Sequence, residues 1–124
     1  MTHERFAATL EERGDQTLIC HLHGDLYGSP ESYAFQDALR DRIAAGRRKV
    51  VLDLSRAGKI DSSGVGILVA LMWSCYQARG AMVLAALPKT VEKVLGIAML
   101  LDRMMHAASV DEAIALIDRT PLPS

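Results

Sequence analysis

Two short aliphatic runs, K-V-V-L-D-L at 49–54 and A-M-V-L-A-A-L at 81–87, flank a segment that is apolar almost throughout, G-V-G-I-L-V-A-L-M-W-S-C-Y at 64–76. A run of this length bounded by charges or turn residues reads as a strand buried on both faces. The segment between them is too long for a strand and is followed by Gly80, so it predicts a helix over 62–79. Two buried strands with a helix between them are parallel neighbours, and the connection is right-handed. That unit alone places the chain among α/β folds.

The remaining elements extend the same pattern. Alternating segments at 6–11 and 17–23, separated by R-G-D at 13–15, predict antiparallel strands. G-S-P-E at 28–31 offers a serine cap and a proline at the first helical position, opening a helix that runs to Gly46. Pro88 starts a third helix reaching about Met99, a short strand is expected over 103–107, and Ser109 with Glu112 has capping-box spacing for a closing helix over 109–119. The expected architecture is a single α/β domain spanning 1–124, with its core at about 5–119. Its mixed sheet has four to five strands, with helices mainly on one face. At 124 residues, folding can bury roughly two-thirds of the surface the unfolded chain exposes. No repeat, low-complexity tract or linker interrupts it.

Charge and composition exclude several function classes. Fourteen basic residues stand against fifteen acidic ones, so no electrostatic footprint recommends nucleic acid or an anionic membrane. Arg47, Arg48 and Lys49 form the longest basic cluster and lack an aromatic neighbour, as a solvated turn would. The longest apolar run, 64–73, is about half the ~20 residues a bilayer span needs. The charged start, M-T-H-E-R-F, is followed by no apolar leader, and Cys20 and Cys75 lie in apolar segments rather than in a disulfide framework; both features suit the cytoplasm. His21 and His23 share a strand face but have no third ligand at metal spacing, so exposed polar positions are expected and no metal or cofactor is implied. Met99, Met104 and Met105 are expected as core filler. No G-x-S-x-G elbow surrounds the serines at 62 and 63, and G-V-G-I-L-V lacks the third glycine of a dinucleotide fingerprint. Neither a hydrolase nor a nucleotide-binding enzyme is indicated.

The start of the apolar helix is unusual. Asp61 and Ser62 are both favoured cap residues, and one of them should close the N-terminus. Gly64 and Gly66 each cost about 1 kcal/mol against alanine in a helix, so they should serve a close approach by something. In the thirteen positions from Gly64, Ser74 is the only plainly polar side chain, more apolar surface than one stripe against a sheet requires. Either other elements cover it, or part is left for a partner.

The run V-V-L-D-L-S-x(5)-D-S-S-G-V-G, from Val50 to Gly66, preceded by G-D-L at 24–26 and followed by the strand, the Pro88 helix and the closing helix, resembles the signature of STAS domains. The likeness is to the bacterial anti-sigma-factor antagonists. It implies a non-enzymatic protein that binds an anti-sigma factor with serine kinase activity while unphosphorylated. Ser62 is then the phosphorylated residue, and Asp25, Asp61, Ser62, Ser63, Gly64, Val65 and Gly66 contribute to the partner surface. A serine phosphatase becomes a second expected partner, and weak homodimer formation is left open. The alternative keeps the fold without the switch, as a docking subunit in a stress-signalling assembly or a lipid-transporter complex. The chain departs from the family pattern at Tyr27, where an acidic residue is common, and at A-M-L-L, 98–101, where T-G-L is common.

Overall fold

The computed structural model describes residues 5–123. Five strands form one sheet in the order β1-β2-β3-β4-β5. Here β1 is Ala7–Arg13, β2 Thr17–Leu26, β3 Lys49–Ile60, β4 Ala81–Ala85 and β5 Met105–Ala107. Strand β1 is antiparallel to β2, and every later pair is parallel. The helices are α1 (Pro30–Ala44), α2 (Ser62–Gln77), α3 (Lys89–Ile97) and α4 (Val110–Asp118), with a single 3-10 turn at Leu101–Arg103. Because the parallel strands advance in one direction, right-handed crossovers put α1, α2 and α3 on the same face. Helix α4 closes no crossover and packs on the opposite face.

The core divides accordingly. Leu52 of β3 and Met82 and Leu84 of β4 face a large cluster with Leu39 of α1, Leu68 and Leu71 of α2 and Leu95 of α3. Their alternates, Val51, Val83 and Ala85, face Ala113 and Ile117 of α4. The expected two-face burial of β3 and β4 is therefore found, and the helices do lie mainly on one side. Ser29 caps α1 by accepting from the Ser32 amide at 3.1 Å, and Ser109 caps α4 by accepting from Glu112 at 3.1 Å. Among the described residues no helix is long and apolar enough to cross a membrane.

Four local expectations are corrected. Strand β3 does not stop at Leu54 but continues through S-R-A-G-K-I to Ile60, because this stretch pairs with an equally extended β2: His23 with Arg56, Gly24 with Ala57, and Leu26 with Ile60. Two register shifts interrupt that pairing, and the polar, glycine-bearing sequence carries no strand periodicity. Helix α2 is not ended by Gly80: Arg79 adopts the left-handed conformation (φ 60°), while Gly80 donates back to the Cys75 carbonyl at 2.7 Å. A side chain at 80 would strike the Arg48 carbonyl, so this glycine serves packing. Helix α3 ends at Ile97 with Met99 in the left-handed position (φ 60°). Of the three methionines expected inside, only Met104 is buried; Met99 is 79% exposed and Met105 lies on the exposed edge strand.

His21 is also more engaged than an exposed polar residue. Its Nδ1 lies 2.7 Å from Asp53 Oδ2 and its Nε2 3.0 Å from Glu11 Oε1, joining β1, β2 and β3. These hydrogen bonds, Asp53 first, hold the imidazole above its ordinary pKa. Burial pushes the Asp53 carboxyl up, but hydrogen bonds from His21 and the Ser55 amide outweigh it and leave the group below its ordinary value.

Candidate functional site: the N-terminus of the central helix

Strands β2 and β3 end side by side, and α2 begins directly over their carboxyl ends, the edge at which open α/β sheets place their sites. Asp61 is the N-cap: its backbone is extended, and Oδ1 accepts from the Gly64 amide at 2.9 Å. Its own amide reaches the Leu26 carbonyl at 3.5 Å. The amides of Ser62 and Ser63 are thus left as the first-turn donors with no acceptor among the described residues, at the positive end of the helix dipole.

The two glycines of this turn have different reasons. At Gly64, which is buried, a Cβ would collide with the Leu26 carbonyl and press on Ile60, so the first turn can seat on β2 only without a side chain there. At Gly66 a Cβ would meet no atom within 4 Å, and the residue faces solvent. Packing within the domain accounts for the first glycine and not for the second.

The seven residues singled out from sequence do converge on this corner, but they do not all face outward. Asp61, Ser62 and Gly66 are exposed, Ser63 and Val65 are half-buried, and Gly64 and Asp25 are buried. The Ser62 hydroxyl is engaged by no other described residue. Ser63 is held against the loop between β2 and α1, where a Cβ on Gly28 would come 2.9 Å from its Cβ and Oγ. Val65 packs against the main core. Asp25 turns inward and accepts from the Lys59 amide at 2.8 Å, and its carboxylate lies where Gly58 would otherwise carry a Cβ. It therefore braces the end of β3 from which α2 departs. Tyr27, where the family pattern has an acid, is half-buried; desolvation, then the charges of Asp25 and Asp61, push its phenol upward.

Sequence reasoning did not single out Gly28 and Gly58, which let the loop and the strand close on Ser63 and Asp25. Their only signal is that a glycine stands at each place, and its reason is a contact across the fold. Most, but not all, of the apolar surface of α2 is covered by other elements. Helix α1 and the sheet cover Ile67, Leu68, Leu71 and Cys75, while Trp73 and Tyr76 remain 55% and 71% exposed. Ser74, the one plainly polar side chain of 64–76, donates to the Ala70 carbonyl at 2.9 Å within the helix.

Fold and site together define a small α/β domain that presents a helix N-terminus at the carboxyl edge of a mostly parallel sheet. A family model described as the STAS domain matches residues 7–113. BtrV of Bordetella bronchiseptica, provisionally described as an anti-sigma factor antagonist, is 31% identical over 109 residues, covering 88% of this chain and 92% of the relative. The anti-sigma factor antagonist SpoIIAA in its unphosphorylated form superposes with a TM-score of 0.78 at 26% identity, covering 93% of this chain and 99% of that one. The Bacillus cell fate determinant SpoIIAA in its phosphorylated form gives 0.65 at 25% identity, over 90% and 99% of the two chains. The chain belongs to the STAS-domain family of anti-sigma factor antagonists.

Proposed function

We propose that this domain is a cytoplasmic, non-enzymatic partner switch: it binds an anti-sigma factor with serine kinase activity through the start of α2, and phosphorylation of Ser62 ends that binding. The whole chain, 1–124, acts as one such domain. The observation that carries the reading is the Ser62 hydroxyl, exposed on the first turn of α2, unengaged by other described residues, and one turn below the open backbone at Gly66. Around it, Asp61, Ser63, Gly64, Val65 and Gly66 form the docking turn, with Asp25 shaping it from beneath.

The electrostatics favour a switch that spoils docking over one that unfolds the domain. A phosphate brings about -1.5 to -2 charges. In the free domain, open amides and the helix dipole favour an anion here by roughly 0.3–2 kcal/mol. Under a partner the same group must shed water, which costs several kcal/mol if it is left unpaired, and Asp61 adds like-charge repulsion. Each ~1.4 kcal/mol of that penalty is tenfold in affinity.

The test combines binding and modification. Ser62→Ala should fold and bind the anti-sigma factor even with ATP present. Ser62→Asp should melt within a few degrees of the parent yet bind at least tenfold more weakly. Peptide mapping after incubation with kinase and ATP should find one phosphate, on Ser62. Phosphate on Ser63 or nowhere, or unchanged affinity of Ser62→Asp, would overturn the switch, and a stable complex with a transporter ATPase would favour the fixed-subunit alternative.

A further inference from the structure

At the far end of α2 from Ser62, a groove of about 310 Å³ opens between the helix and the outer strands β4 and β5. Met72, Met82, Met104 and Met105 line it, and the Trp73 and Tyr76 rings stand on its lip. Those rings stack with centroids 5.4 Å apart and planes 11° from parallel, yet both remain largely in water. The fold gains little from leaving them there. Aromatic faces supply contact area at small entropic cost, and methionines adapt to whatever lies on them, so the lining is suited to an apolar guest. Its volume falls at the lower end of the ~300–1,000 Å³ usual for small-molecule sites.

One full charge borders this lining. Arg103, on the 3-10 turn, lies at the groove with its side chain exposed, and no carboxylate among the described residues pairs with it. An unpaired guanidinium beside an apolar wall is complementary to a single carboxylate or similar oxyanion, which it can hold through two parallel hydrogen bonds. Trp73 is eleven residues along α2 from Ser62, or ~16 Å of helix, so the groove is separate from the docking turn.

We propose that this groove binds a small amphipathic anion, its apolar body lying on the methionines and against Trp73 and its acidic head paired with Arg103. Trp73 is the only tryptophan in the chain, so its emission reports occupancy directly. The probes are dodecanoate, dodecanol and dodecyltrimethylammonium, each below its micellar concentration. Dodecanoate should shift Trp73 emission to the blue along a saturating curve, at least tenfold more tightly than the alcohol or the cation. Arg103→Gln, an exposed change that leaves the circular dichroism spectrum intact, should erase that preference while leaving the response to dodecanol. Ser62→Asp should bind dodecanoate as the parent does. The proposal is overturned by the absence of saturation, by equal affinity for the three probes, or by an Arg103→Gln variant that still prefers the anion. It is equally overturned if Trp73 emission changes with protein concentration alone while light scattering reports a dimer, for then a second copy fills the groove.

Discussion

Two glycine-to-alanine changes, two residues apart in one helix, should move stability in opposite directions. Gly66→Ala adds a methyl group where no atom lies within 4 Å. It therefore gains only the alanine preference of a helix interior, about 0.5–1 kcal/mol, partly through a less disordered unfolded chain. Gly64→Ala gains the same preference but drives its methyl into the Leu26 carbonyl and the Ile60 side chain. Residues 26 and 60 are paired across β2 and β3, and the same carbonyl accepts from the Asp61 amide, so it cannot retreat without disturbing the helix entry. Overpacking of this kind costs ~1–3 kcal/mol and more where backbone must shift, which outweighs the gain. The variants should differ by about 2 kcal/mol or more, with Gly66→Ala melting ~2–5 °C above the parent. Urea unfolding read as midpoints at constant slope measures this. A Gly64→Ala protein as stable as the parent would mean that α2 is not seated on the end of β2, and a destabilised Gly66→Ala would mean that the domain itself uses that space. If Gly66 is instead kept open for a partner, the stabilised variant should bind its anti-sigma factor less well, a loss that cannot be blamed on folding.

Other perturbations test the frame around the site. His21 titrates above its ordinary 6.5 in the folded chain, so its contribution is full below about pH 6.5 and is lost as pH rises through the folded value. Asp53, held below its ordinary 3.8, contributes above that value and loses its contribution as pH falls through the folded one. His21→Gln should flatten the decline in melting temperature from about pH 6 upward; profiles that stay parallel would show that the Glu11–His21–Asp53 chain adds nothing. Cys20 and Cys75 are both pushed up to about 12 by burial, so a thiol reagent at pH 8 should label neither in the native protein and both in urea; rapid native labelling would contradict their burial. Asp25→Ala leaves the Lys59 amide without its acceptor and a void at Gly58, which should cost ~1–3 kcal/mol and loosen amide exchange at 57–61 ahead of the sheet centre. Unchanged exchange there would remove Asp25 as the brace of this corner.

The α/β class, the order of the elements and the serine at the head of the central helix were legible because each rests on local chemistry. Buried parallel strands need aliphatic runs, capped helices need Ser29, Asp61 and Ser109, and D-S-S-G is a contiguous motif. The extension of β3 to Ile60 was not legible, because S-R-A-G-K becomes a strand only when the end of β2 lies alongside. Tertiary packing likewise separated two glycines that look alike in sequence, turning Gly64 against Leu26 and Gly66 toward solvent, and it sent Met104 inward while leaving Met99 outside. It also joined Glu11, His21 and Asp53, which stand on three strands. The division has one physical cause: propensity and capping act over a few residues, whereas which atom meets a given Cβ depends on segments brought together only when the sheet closes.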